Sequence, residues 1–140
     1  MLKIKGLDHV AVCVRDLDEA AARWRLLLGA EPVARELVES QKTEALFFAA
    51  GGEGGTGIEL VAPRGNEGLE RFLARRGEGL HHVAVEVEGI DEAIALLTAL
   101  GVPMIDAIAR DGARGHKVAF VHPKATGGVL VELVQRARHP

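Results

Sequence analysis

The chain has 140 residues, 48% of them hydrophobic, enough for one packed body or two small fused modules. Twenty acidic against seventeen basic residues give a formal charge of −3, which offers no reason to expect a nucleic-acid partner. A single cysteine, Cys13, excludes an internal disulfide framework and fits a reducing compartment. No apolar run has the length of a signal peptide or a membrane span, so the expectation is a soluble cytoplasmic protein with no membrane partner.

In chain order, Leu7 to Val14 alternates and is rich in valine, which predicts a strand. Asp16 precedes Glu19 by three residues, the spacing of a capping box, and so starts a helix. Ala20, Trp24, Leu27 and Leu28 share one face of that helix, and Gly29 ends it. Strands are then expected near Pro32 to Val38, Thr43 to Ala50 and Thr56 to Ala62. Asn66 caps a short connecting helix through Leu69, Phe72 and Leu73, stopped by Gly77. Leu80 to Val87 predicts a strand and Asp91 to Leu100 a helix, with Ile90, Ile94, Leu97 and Leu100 on its buried side. Further strands are expected near Val102 to Ala109, Lys117 to His122 and Gly128 to Val134. The glycine clusters mark turns rather than linkers between independent domains.

The order βαβββ therefore occurs twice, and the sequence repeats with it. Gly6 to Ala22 and Gly79 to Ala95 match at an offset of 73 residues, with eleven of seventeen positions identical. His9 falls on His82. Ile58 to Val61 falls on Val131 to Val134 at the same offset, so Glu59 falls on Glu132. Apolar positions repeat for packing alone. A histidine and a glutamate repeated inside apolar strands need another reason, because a carboxylate among large apolar residues is costly unless it is paired or bound to a cation. Two imidazoles and two carboxylates are ligands for a divalent metal such as Zn, Co, Mn, Ni or Fe.

Strand alternation supports that set. Val10, Val12 and Val14 share one side and should meet the helix; His9, Ala11 and Cys13 share the other. In the copy, Val83, Val85 and Val87 oppose His82, Ala84 and Glu86. Glu59 and Glu132 point away from their flanking apolar residues. The histidine side, with its small alanines, is expected to line an open concave surface.

The paired modules, with LDHVAV at Leu7 to Val12, IELVAP at Ile58 to Pro63, GLHHVAVEV at Gly79 to Val87 and VHPKATGGVLVELVQ at Val121 to Gln135, resemble the vicinal oxygen chelate (glyoxalase/bleomycin resistance) superfamily. Within it they resemble the methylmalonyl-CoA epimerases most. The resemblance implies an α+β fold, two tandem βαβββ modules forming a curved mixed sheet around a metal-binding cleft. It implies one domain over residues 1–140, with module 1 at about 6–63, the connecting helix at about 66–76 and module 2 at about 79–135. His9, Glu59, His82 and Glu132 are then the metal ligands, and Co2+ the expected ion, with Zn2+, Mn2+ or Ni2+ also compatible. The implied activity interconverts the (2R) and (2S) forms of methylmalonyl-CoA by proton transfer at C2. A proton removed from one face and returned on the other calls for two acid/base groups, which the resemblance places at Glu132 and Glu44.

Arg114 and Lys117, in a basic glycine-containing loop, are candidate contacts to the acyl-CoA substrate. His81 and His122 are expected to be structural, and Cys13 to have no nucleophilic role. A homodimer is implied. The alternatives are a lactoylglutathione lyase (glyoxalase) with the same ligands, or a non-catalytic small-molecule-binding protein of the same fold.

Overall fold

The structure is a computed structural model that describes residues 2–52 and 54–137. Its strands are β1 (Ile4–Cys13), β2 (Ala34–Val38), β3 (Thr43–Phe48), β4 (Gly57–Pro63), β5 (Gly79–Val87), β6 (Arg110–Asp111), β7 (Lys117–Val121) and β8 (Val131–Gln135). The helices are α1 (Leu17–Leu28), α2 (Glu67–Arg76) and α3 (Ile90–Ala99). This is an α+β fold of two βαβββ copies joined by α2. Contacts divide the chain into two compact units, His9–His81 and the residues before His9 together with those from His82 onward. Both boundaries fall inside strands, β1 and β5, immediately before a candidate histidine ligand.

In the unit His9–His81 the strand order is β2-β3-β4-β1, with β1 parallel to β4 and the other pairings antiparallel. Asp16 caps α1 by accepting from the Glu19 N–H at 2.9 Å. Gly29 closes it at φ 61°, a left-handed conformation that glycine adopts without steric cost. Val12, Val14, Leu46, Phe48 and Leu60 pack under Leu17, Ala20, Ala21, Trp24 and Leu28 of α1. The valine side thus meets the helix as expected. Asn66 caps α2 by accepting from Leu69 N–H at 3.0 Å.

The other unit repeats the topology as β5-β8-β7-β6, with β5 parallel to β8. Val87, Leu133, Ala119 and Val121 pack against Ile90, Ala93 and Ile94 of α3. Gly89 offers α3 no capping side chain. The Gln135 amide oxygen, from β8, accepts from Ile90 N–H at 2.9 Å instead.

Three expectations need correction. The strand near Val102 to Ala109 is reduced to a bridge between Met104 and Val121, with β6 following at Arg110. Ile105 N–H and Asp106 N–H both donate to the Phe120 carbonyl, and the Asp106 carboxylate accepts from Phe120 N–H at 2.8 Å. A side chain has taken a ladder position, which breaks the regular pairing. Leu27 and Leu100 are 73% and 69% exposed rather than buried. Leu27 lies at the edge of the stripe centred on Leu17, Ala21, Trp24 and Leu28, and Leu100 follows the end of α3.

Leu60, fully buried beside Glu59, tests the packing under α1. Leu60→Ala should cost about 2–5 kcal/mol in urea unfolding. A loss below about 1 kcal/mol would mean that this core can collapse around the gap.

Candidate metal centre

The unit His9–His81 brings His9 on β1 beside Glu59 on the parallel neighbour β4. Ala11 stands opposite Glu59 in the register, and His9 lies two residues earlier on the same face. The small alanine leaves the histidine room to lean toward the carboxylate. Nε2 of His9 is 3.4 Å from Oε2 of Glu59, with side chains only 5% and 9% exposed. On the far side of β4, Phe47 of β3 stands opposite Glu59. Its ring meets the His9 imidazole edge to face, at 5.6 Å between centroids and 86° between planes.

The other unit repeats every part. Ala84 of β5 and Phe120 of β7 stand opposite Glu132 of β8. Nε2 of His82 is 3.4 Å from Oε1 of Glu132, with side chains 5% and 6% exposed. Phe120 meets His82 at 5.2 Å and 89°. Phe47 and Phe120 also lie 73 residues apart; the offset that revealed the histidines would have found them too. Each imidazole thus packs edge to face against a phenylalanine from the strand on the far side of its glutamate. Ala11, Cys13 and Ala84, on the histidine side, are fully buried beneath these larger side chains.

Each pair fits a divalent cation. Two ligand atoms bound at ~2.1 Å to one ion stand roughly 3.0–3.4 Å apart, the spacing seen in both pairs. A buried carboxylate is costly unless it is paired or bound to a cation, and a divalent ion would supply that charge.

Glu44 is placed differently. It pairs with Ala62 across β3 and β4 and shares a face with Leu46 and Phe48, which is the α1 face, opposite to Phe47 and Glu59. Its carboxylate accepts from Arg64 at 2.5 Å and from Arg35 at 3.4 Å. Arg35 in turn reaches Asp18 on α1 and holds that carboxyl below its usual range. The structure does not bring Glu44 beside the His9–Glu59 pair.

Arg114 sits in a short 3-10 turn (Ala113–Gly115) with a left-handed backbone, φ 59°, a strained conformation for a residue with a Cβ. Lys117 is paired with Asp111. His81 meets Phe72 edge to face at 5.0 Å. His122 follows β7 and caps a 3-10 turn, its Nδ1 accepting from Lys124 N–H at 3.1 Å. His116, in the same basic loop as Arg114 and Lys117, is buried and accepts from Ala137 N–H at 2.9 Å. Burial is the main cause that pushes the Cys13 thiol up to about 11, with the Glu78 charge adding to it.

Residues 8–120 match the Glyoxalase/Bleomycin resistance protein/Dioxygenase superfamily, and the chain belongs to it. Among its relatives, the chain is 38% identical over 141 residues to an ethylmalonyl-CoA/methylmalonyl-CoA epimerase of Cereibacter sphaeroides, covering 94% of this chain and 98% of that one. It superposes on a methylmalonyl-CoA epimerase from Mycobacterium tuberculosis with a TM-score of 0.92 at 34% identity, over 99% of this chain and 92% of that one. It matches a Streptomyces coelicolor methylmalonyl-CoA epimerase in complex with 2-nitronate-propionyl-CoA with a TM-score of 0.88 at 29% identity, over 99% and 100% of the two chains.

Two outcomes check the site. Cys13 should resist iodoacetamide at pH 8 in the folded chain, because its raised pKa leaves little thiolate, and should react on unfolding; rapid alkylation of the native chain would contradict its burial. His82→Ala should lose bound metal, whereas His81→Ala, on the other strand face, should keep it. Equal losses from two folded variants would place the strand register off by one residue.

Proposed function

We propose that this chain is a metal-dependent epimerase interconverting (2R)- and (2S)-methylmalonyl-CoA by proton transfer at C2. The observation that carries the reading is the duplicated, buried His–Glu pair, in a chain whose named relatives are epimerases. The lyase alternative receives no support from those relatives. The non-catalytic alternative leaves two buried carboxylates without a purpose.

His9, Glu59, His82 and Glu132 would together hold one divalent cation, whose charge matches the two carboxylates. Nitrogen and oxygen donors suit Co2+, and equally Zn2+, Mn2+ or Ni2+. When bound, the ion supplies Lewis acidity that offsets negative charge on the thioester oxygen as the C2 proton leaves. Glu132 takes or returns that proton on one face. Phe120 and Ala84, against it, keep the carboxylate in a dry environment where its basicity is not spent on water. Arg114 and Lys117 are assigned to the acyl-CoA, with Lys117 exchanging Asp111 for an anionic group of the substrate.

The second proton-transfer group is assigned to Glu44 from the family resemblance. To serve, its carboxylate must leave Arg35 and Arg64. A homodimer is part of the reading, supported by exposed leucines that repeat with the duplication, Leu7 with Leu80 and Leu27 with Leu100. A cytoplasmic setting accords with the free, buried Cys13. Among the described residues, no helix is long and apolar enough to cross a membrane.

Proton NMR of methylmalonyl-CoA in deuterated water tests the activity. The chain with Co(II) should exchange the C2 proton and interconvert the stereoisomers. Inactivity there, with turnover of methylglyoxal plus glutathione, would replace the epimerase by the lyase. Glu44→Gln separates chemistry from ion pairing. It should still exchange the C2 proton of one stereoisomer, while inversion falls by roughly 10²–10⁴, the worth of a positioned acid or base. Wild-type inversion by a variant with lowered Tm would leave Glu44 as an ion-pair residue only.

A further inference from the structure

We propose that Arg136 is a positioning residue for the metal centre, tying together the three strands that carry His9, His82 and Glu132. The inference rests on the metal reading above. Arg136 lies one residue past β8, four residues after Glu132, and period-2 alternation through Val134 keeps the two on one strand face. Glu86 stands in the same relation to His82 on β5. Because β5 and β8 are parallel, with Ala84 opposite Glu132 and Glu86 opposite Val134, the contact between Arg136 and Glu86, 3.5 Å, is a second rung beside the His82–Glu132 rung.

The guanidinium has a further partner. Its Nε donates at 2.6 Å to Oδ1 of Asp8, whose side chain is 4% exposed. Asp8 immediately precedes His9 on β1. One cation thus anchors the backbone next to one histidine ligand and bridges the two strands bearing the other histidine and its glutamate. Lys5, 3.7 Å from Glu86, extends the cluster along β1.

The duplication does not account for this arrangement. At the offset of 73, Asp8, Glu86 and Arg136 correspond to His81, Cys13 and Pro63. No equivalent position carries one of these charges, so the cluster has no counterpart related by the repeat. A buried carboxylate beside a ligand is costly, and here it secures a fixed attachment for the strand. Asp8 has no role in the proton transfers assigned above. The hydrogen bond with Asp8 raises the guanidinium pKa, so the anchor stays charged across the working pH range.

The test is calorimetric titration of the metal-free chain with Co(II) at a temperature where every variant is folded. Arg136→Gln should weaken Co(II) binding by about 10- to 100-fold, the usual effect of losing a group that orients metal ligands. Arg136→Lys should restore part of the affinity. Arg25→Gln, which removes the surface pair with Glu31, should leave it unchanged. A purely structural ion pair would lower Tm and leave the Co(II) affinity at the wild-type value, which would overturn the proposal while the metal reading stands. Wild-type protein that binds no Co(II) would overturn both. If Arg136→Gln does not fold, Asp8→Asn removes the buried charge without changing shape, and the same two outcomes apply to it.

Discussion

A carboxylate buried between apolar neighbours in a strand is the constraint on which the rest of this structure depends. Glu59 and Glu132 each occupy such a position, with a histidine at 3.4 Å and a phenylalanine opposite. Each copy of the fold therefore carries the same local electrostatic problem, of a kind that a divalent cation would offset. The βαβββ order, with its first and last strands side by side, brings each pair together. It sets the histidine strand parallel to the glutamate strand, with one alanine between them small enough to let the two side chains meet.

The two faces of each sheet divide the work. The valine face packs on a helix; the histidine face carries the two His–Glu pairs. Ion pairs follow the same division. Glu44, Arg35, Arg64 and Asp18 form a surface network on the helix side of the unit His9–His81, whereas Asp8, Glu86 and Arg136 form a partly buried one in the other unit. The repeat thus gives two equal His–Glu pairs with different charges around them.

What the sequence made legible was whatever depends on periodicity and on the repeat. Alternation sorted Val12 and Val14 from His9 and Ala11, the capping box located α1, and the offset paired the histidines and glutamates. Partners brought in by strand register were harder to see. Phe47 and Phe120 carried the same offset but looked like ordinary core residues until the register set them opposite the glutamates. Gln135 capping α3 and Asp106 replacing a ladder carbonyl are contacts over long sequence separations, which no local pattern encodes. Glu44 shows the limit from the other side. Its face was read correctly from alternation, yet only the packing of Leu46 and Phe48 under α1 reveals which side of the sheet that face is.

The proposed function requires that the two His–Glu pairs serve one ion. Titrating the metal-free chain with Co(II) while following the imidazole proton resonances of His9 and His82 tests it directly. Saturation is expected at one equivalent per chain, with both imidazoles moving together into the paramagnetically shifted region. Saturation at two equivalents, or a shift of one imidazole while the other keeps its diamagnetic position, would contradict it.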